Sequence, residues 1–172
     1  MVSLSFSSPR VTTRTTVVMA MLVAMSVVLE RFSFGTTWLQ IGPGIFATLL
    51  MAYYLGPWLG AVAAAIADQL STILSGGPNF LGFTLSAALA VMIYGIFLHE
   101  QPVTVWRILL ATILVVGIVY TVLNTLWVVM LGASWNTILI PRAIKELATL
   151  PIQAGLAYVT LKAVAQIKPH LA

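Results

Sequence analysis

Residues 32–67 read FSFGTTWLQIGPGIFATLLMAYYLGPWLGAVAAAIA and contain no charged side chain. Thirty-six such residues are too many for one membrane-spanning helix, which needs about 20. Gly56-Pro57 interrupts the stretch. Proline lacks the N–H that a helix interior uses, and the glycine before the proline also weakens a helix. The stretch therefore predicts two helices, over residues 41–55 and 58–74.

The whole chain shares this composition. Its 172 residues are 60% hydrophobic and 7% charged, and the mean hydropathy is +1.06. A soluble domain would carry about 25% charged residues. The deficit excludes a soluble globular protein, a disordered chain and a nucleic-acid binder, and it indicates an integral membrane protein. The absence of cysteine excludes disulfides and thiolate metal sites.

Four further apolar runs are separated by polar or glycine- and proline-rich segments. We expect helices over residues 15–31, 80–98, 106–131 and 141–165. Pro141 is expected in the first turn of the last helix, where proline is favoured. The predicted fold is a single all-α membrane domain, residues 1–172, with six transmembrane helices after a cytoplasmic tail of residues 1–13.

The distribution of basic residues predicts that both termini lie in the cytoplasm. With the N-terminus inside, the cytoplasmic side holds Arg10, Arg14, Arg107, Lys162 and Lys168, and the outer side holds Arg31, Arg142 and Lys145. Five cations against three agree with the positive-inside rule. The three outer cations run against this trend and are candidates for a function.

Asp68 is the most informative polar residue of the predicted outer half. An acid within a span costs about 2.5–3.5 kcal/mol on insertion scales, so its presence needs a reason. One reading is a structural ion pair with an outer cation. The other is a ligand contact in an outward-facing cavity. Asn79, in the loop before the fourth helix, and Asn124, in the fifth, lie in the same half.

Arg142 and Lys145 are three residues apart and therefore share a helix face. They could receive a carboxylate-bearing ligand from outside. Glu146 follows Arg142 by four residues and could instead neutralise it. The residues alone leave both readings open.

Several aromatic and small residues also allow two readings. Most aromatic residues near the outer interface fit an aromatic belt, whereas Trp38, in a loop, is the best candidate to stack on a flat heterocycle. Ala20 and Ala24 form a small-xxx-small pair, a spacing that lets helices approach closely. That pair is suited to packing within the bundle or to docking a partner.

Catalytic patterns are missing from the sequence. It contains no HExxH motif, no GxSxG motif and no P-loop. His99 and His170 lie near the predicted cytoplasmic ends, away from the outer acids, so we expect no metal site. The chain is predicted to be neither an enzyme nor an ATPase.

Six strings together carry a family resemblance: VLERF at 28–32, GPWLGA at 56–61 leading to Asp68, GFTLSAAL at 82–89, IYGIFL at 93–98, PRAIK at 141–145 and PIQ at 151–153. In this combination they resemble the folate-specific substrate-binding S components of energy-coupling factor (ECF) transporters. The resemblance extends from about Thr15 to Lys162.

The resemblance implies a six-helix protein in the plasma membrane of a prokaryote that binds one vitamin from outside. Such components dock onto a transmembrane coupling (T) component and two ATPase subunits, so this chain would need no cofactor of its own. In the family, small residues of the first helix meet the coupling protein, and Ala20 and Ala24 match that spacing. The alternatives are an S component for riboflavin or pantothenate, and a structural membrane subunit without a ligand.

The resemblance also suggests roles for the candidate ligand residues. Asp68 could accept hydrogen bonds from the aminopyrimidine edge of the pterin, unless it is held by Arg142. Arg31, Arg142 and Lys145 could engage carbonyl and carboxylate groups. Trp38 and Phe83 could sandwich the rings, and Asn79 and Asn124 complete the predicted set.

Overall fold

The computed structural model describes residues 4–36, 39–76 and 79–167. Within these ranges, five helices are long and apolar enough to cross a membrane. They are α1 (Thr13–Glu30), α2 (Gly44–Ser75), α3 (Leu81–Leu98), α4 (Val105–Met130) and α5 (Trp135–Ile167). The chain is thus a multi-span helical protein.

Helix α2 is broken at Gly56, as the sequence predicts. Gly56 has φ 70° and ψ −171°, outside the helical region, and Pro57 follows it. A Cβ on Gly60 would lie 3.1 Å from the Met51 carbonyl oxygen, although residues nine apart in a straight helix are about 13.5 Å apart along its axis. The chain therefore folds back sharply at Gly56, and α2 consists of a first arm (residues 44–55) and a second arm (residues 57–75).

The break leaves one backbone carbonyl without its helical partner. Pro57 has no N–H, so the carbonyl oxygen of Tyr53 cannot be bonded in the usual i→i+4 manner. The Nδ1 atom of His99, at the end of α3, lies 2.8 Å from that oxygen and satisfies it when it carries the proton. The close approach of α3 depends on Gly95, where a Cβ would lie 2.6 Å from the Pro57 nitrogen.

The N-terminal segment closes the other side of the break. Ser8 Oγ accepts hydrogen bonds from the backbone N–H groups of Trp58 at 3.1 Å and Leu59 at 3.5 Å. The Phe6 carbonyl accepts the indole N–H of Trp58 at 3.1 Å. Residues predicted to form a tail thus cap the second arm from about 50 positions away in sequence.

The core lies where α2 packs against α1 and α3. Leu49, Leu55 and Tyr94 are fully buried there, and Leu22 of α1 completes this layer. In contrast, α5 exposes large apolar side chains such as Ile144. Exposed apolar faces on long helices are what a lipid-facing bundle requires.

Helix α4 contains a π-helical stretch, Val115–Leu123, that the sequence reading did not predict. At its end the N–H of Asn124 bonds to the Val119 carbonyl, five residues back. Wide turns of this kind occur most often at functional sites. The π-helical stretch of this chain lies directly before Asn124 and Thr125.

One short strand pair differs from the predicted all-α fold. Residues Phe34–Thr36 (β1) and Leu39–Ile41 (β2) form a short antiparallel ribbon in register Phe34↔Ile41. Strands of three residues are too short to show an alternating pattern, so the sequence alone favours a loop there.

Helix α5 begins at Trp135, six residues before the predicted start, and Pro141 lies in its second turn rather than its first. Proline removes one helical hydrogen bond there, and the helix continues through it.

We expect Ser8→Ala to destabilise the protein. The substitution removes the acceptor shared by the first two N–H groups of the second arm, and loss of a helix cap costs about 1 kcal/mol. The measurement is thermal unfolding of the purified protein in detergent. Thr13→Ala, at an exposed position, is the matched control. Equal unfolding midpoints for the two variants would contradict a capping role for Ser8.

Candidate functional site

A group of polar side chains lies between α4 and α5, which we call the α4–α5 cluster. Its members are Asn124 and Thr125 of α4 and Arg142, Lys145, Glu146 and Gln153 of α5. Arg142, Glu146 and Gln153 follow one another by four and seven residues, a spacing that places them on one helix face. Arg142 Nη1 donates to the Asn124 carbonyl at 3.1 Å, which joins the two helices.

Two of the three charged members of this cluster are buried. Arg142 is 7% exposed and Glu146 is 4% exposed. Lys145 Nζ lies 2.8 Å from Glu146 Oε1, and this ion pair compensates the charge of the carboxylate. The sequence left open whether Glu146 neutralises Arg142; in the structure its ion pair within 4 Å is with Lys145.

Several atoms of the cluster have no hydrogen-bond partner. Among the described residues, six buried side-chain polar atoms lack one, and five of them lie in this cluster: Asn124 Oδ1, Thr125 Oγ1, Arg142 Nε, Glu146 Oε2 and Gln153 Oε1. Burying a polar atom without a partner costs about 1–3 kcal/mol, and native proteins seldom leave such atoms unpaired. Five such atoms on two contacting helices make this region the candidate polar site of the described chain.

A second polar group, the α2–α3 cluster, is internally satisfied. Thr84 Oγ1 donates to Asp68 Oδ2 at 2.6 Å, and Gln69 Nε2 donates to Thr84 Oγ1. The side-chain amides of Gln69 and Asn79 bond each other in both directions, at 2.9 and 3.2 Å. Asp68 and Asn79, both predicted as ligand residues, are therefore brought into one network.

One reading of the sequence is an ion pair between Asp68 and an outer arginine, and the described residues do not form this pair. Among the described residues, no ion pair within 4 Å joins Asp68 to Arg31 or Arg142. Arg31 is exposed at the C-terminal cap of α1. Its neighbour Glu30 lies near enough to Ser71 and Asp68 for its carboxylate to interact electrostatically with both. The end of α1 thus lies against the second arm at Glu30.

Aromatic rings connect the two clusters. The ring centroids of Phe80 and Phe83 are 5.9 Å apart, and those of Phe80 and Trp127 are also 5.9 Å apart. Trp127 Nε1 donates to Ser86 Oγ at 2.9 Å. Phe83 precedes Thr84 of the α2–α3 cluster, and Trp127 lies one turn after Asn124 of the α4–α5 cluster. Trp38 lies outside the described residues.

The sequence reading missed four residues of this region as site residues: Thr125, Trp127, Glu146 and Gln153. A signal existed for two of them. Polar residues at 142, 146, 149 and 153 recur at helical spacing along one face of an otherwise apolar helix. That pattern marks a polar face directed inward. In the sequence, Glu146 suggests a counter-ion, and Trp127 resembles the other aromatic residues expected in an interfacial belt.

The predicted docking residues lie away from both clusters. Ala20 and Ala24 are exposed on α1 and line an apolar groove of about 550 Å³. Ile66, Leu70 and Leu74 of the second arm form its other wall. The small side chains leave room for another helix to approach, rather than filling the contact between α1 and the second arm.

Comparisons with known proteins agree on one family. The model described as "ECF transporter, substrate-specific component" matches residues 14–161. A protein named Folate transporter FolT from Leuconostoc mesenteroides is 36% identical over 162 residues, which is 89% of this chain and 87% of the relative. A protein of the same name from Clostridium novyi is 32% identical over 153 residues, which is 87% of this chain and 89% of that protein.

A solved structure supports the same assignment. It is described as "Crystal structure of FolT bound with folic acid", and it superposes with a TM-score of 0.81 at 32% identity, over 86% of this chain and 92% of that one. Members of this family are transporter components, so the prediction that the chain is not an enzyme is confirmed. The chain belongs to the family of substrate-specific components of ECF transporters.

Proposed function

We propose that this protein captures folate from outside the cell and delivers it to an ECF module for ATP-driven uptake. The relatives named as folate transporters and the similar structure with folic acid support this substrate. The observation on this chain that carries the proposal is the α4–α5 cluster, with five buried polar atoms that need partners. A subunit without a ligand would have no use for such a site.

The chemistry of folate matches the site. Folate contains a flat pterin, an aminobenzoate ring and a glutamate tail with two carboxylates. The rings of Phe80, Phe83 and Trp127 offer faces and edges for stacking. Arg142, Lys145 and Glu146 together carry a net charge of +1 at neutral pH, which favours an anionic ligand.

The candidate ligand residues follow from this geometry and from the sequence. Asn124, Arg142 and Lys145 belong to the α4–α5 cluster, and Asp68 and Asn79 to the α2–α3 cluster, with Phe83 between them. Arg31 is placed at the end of α1, where a ligand entering from outside would pass it. Trp38 stays a sequence-based candidate.

The membrane topology is also a proposal. We propose that the two arms of α2 are separate spans, which gives six helices with both termini in the cytoplasm. Met51 and Gly60 can lie this close only if the two arms lie side by side, and this supports the arrangement. The distribution of Lys and Arg supports the orientation. The bacterial relatives support a prokaryotic plasma membrane.

The partners proposed are a T component and two ATPase subunits. The family supports an ECF module in general, and the sequence contains no P-loop, so ATP would be hydrolysed by the partners. The groove beside Ala20 and Ala24 is the surface proposed for the T component. Its apolar, small-residue lining suits a transmembrane helix.

We expect Arg142→Ala to weaken folic acid binding at least tenfold, since it removes a buried donor and leaves Glu146 in altered surroundings. Asp68→Asn is expected to weaken binding less, because asparagine can still accept from Thr84. The measurement is calorimetry on the purified protein with folic acid, riboflavin and pantothenate. Arg14→Ala, on an exposed position of α1, is the control. Wild-type affinity in both site variants would refute the proposed site.

The double substitution Ala20→Leu with Ala24→Leu is expected to separate binding from transport. Leucine side chains fill the groove, so association with the T component and folate uptake should fall at least tenfold, while folic acid binding by the isolated protein stays unchanged. Val159→Leu, on the exposed face of α5, controls for added bulk towards lipid. Normal uptake by the double variant would exclude this groove as the docking surface.

Cysteine labelling tests the topology, because the chain contains no native cysteine. With six spans and an inner N-terminus, Ser134→Cys should react with a membrane-impermeant maleimide in intact cells. Glu100→Cys should react only after the cells are permeabilised. Labelling of Glu100→Cys in intact cells, with Ser134→Cys protected until permeabilisation, is what five spans with an inner N-terminus would give, and it would contradict the six-span arrangement.

A further inference from the structure

We propose that His99 and Glu100 form a proton-operated clasp at the end of α3. When the imidazole of His99 takes up a second proton, it bonds Glu100 as well as the Tyr53 carbonyl, and the N-terminal segment (residues 4–9) is fastened to the break in α2. This inference does not depend on a bound ligand. It concerns the end of the bundle that the proposed topology places in the cytoplasm.

The first argument is the hydrogen bonding of the imidazole. His99 is 6% exposed, and its Nε2 atom is the one unpartnered buried polar atom of the described residues that lies outside the α4–α5 cluster. Its Nδ1 atom lies 2.8 Å from the Tyr53 carbonyl oxygen. Because a carbonyl only accepts, the single proton of a neutral ring is on Nδ1. The neutral ring therefore leaves Nε2 as a buried acceptor without a donor.

The second argument is the group that lies beside Nε2. Glu100 Oε1 is 4.0 Å from this atom, and an ionised carboxylate, like a carbonyl, only accepts hydrogen bonds. The ring thus lies between two acceptors, and this arrangement suits the imidazolium, in which both nitrogens donate. Since 62% of the Glu100 side chain is exposed, its rotation can shorten the distance to about 2.8 Å, an ordinary charge-assisted hydrogen bond.

The third argument is that Glu100 is held beside His99. Its backbone has φ 55°, in the left-handed region that residues other than glycine seldom adopt. Its Oε2 atom accepts a hydrogen bond from Ser7 Oγ at 2.9 Å. Ser7 belongs to the segment whose Ser5 N–H bonds the Ile96 carbonyl of α3 at 2.8 Å. A bond from His99 to Oε1 would therefore join the N-terminal segment, α3 and the first arm of α2 through one carboxylate.

Other titratable groups near the ring do not replace Glu100. The tyrosines at the end of the first arm carry phenols, which are neutral at physiological pH. Residues 4–9 contain no charged side chain, and Arg10, which follows them, is exposed. At the start of α4, Arg107 donates to Gln101 Oε1 at 3.0 Å, and its positive charge opposes protonation of the ring. Among the described residues, Glu100 is the one acid within 4 Å of a ring nitrogen.

The test measures thermal unfolding of the purified protein in detergent at pH 5.5 and pH 8, near the two ends of the range in which histidine changes its charge. The bond to Glu100 forms only when His99 is protonated, so its contribution is present at low pH and is lost as the pH rises. Glu100→Gln should therefore lower the unfolding midpoint by about 2–4 °C at pH 5.5 and by less than half as much at pH 8. Ser7→Ala is the matched control. It removes a bond to the same carboxylate without a titrating proton, so its effect should be equal at both pH values.

A double substitution separates the clasp from other effects of pH. His99→Asn keeps a side-chain donor for the Tyr53 carbonyl and removes Nε2. In this background, Glu100→Gln should change the unfolding midpoint equally at both pH values. Two outcomes would overturn the inference: equal effects of Glu100→Gln at both values in the otherwise wild-type protein, or a pH-dependent effect that persists in His99→Asn.

The histidine rings give a second reading should a variant not fold. The sequence contains two histidines, His99 and His170, so His170→Gln leaves one ring in a nitrogen-15 NMR spectrum. That ring is expected to carry its proton on Nδ1 at pH 8 and to be protonated on both nitrogens at pH 5.5. A ring that stays neutral at pH 5.5, or that carries its proton on Nε2 at pH 8, would contradict the clasp. Neither measurement uses folic acid, so the proposed function is tested separately.

Discussion

The cost of burying a polar backbone group without a partner is the constraint on which this structure depends. Every buried backbone group that leaves a helix needs a partner from the protein itself. The break at Gly56-Pro57, where both residues are buried, meets this requirement with two distant residues: His99 takes the Tyr53 carbonyl, and Ser8 takes the first N–H groups of the second arm. The fold-back of α2 is thus stabilised by the N-terminal segment and by the end of α3.

The same constraint distinguishes the two polar clusters. In the α2–α3 cluster, the hydrogen bonds around Asp68 are made within the protein, and the network holds helices together. In the α4–α5 cluster, buried atoms of Arg142 and Glu146 have no partner among the described residues. A ligand with complementary donors and acceptors would offset the cost of burying these atoms.

The sequence predicted the helical spans and the break well, because both depend on local properties: long uncharged runs and the chemistry of Gly56-Pro57. It predicted less well what depends on contacts between distant residues. The start of α5 before Pro141, the π-helical stretch before Asn124 and the capping by Ser8 have no local signature. For the same reason the sequence alone does not show that one carboxylate oxygen of Glu146 is buried without a partner, because this depends on how the helices pack.

The second arm of α2 connects the two surfaces that a transport subunit needs. One face of this helix carries Ile66 and Leu70, which line the groove proposed for the T component. Another face carries Asp68, which accepts a hydrogen bond from Thr84 of α3, and Ser71, which lies near Glu30 of α1. The bond between Asp68 and Thr84 holds this arm against α3, so the same helix carries the wall of the groove and part of the α2–α3 cluster. The network around Asp68 therefore fixes the position of the groove wall relative to α3.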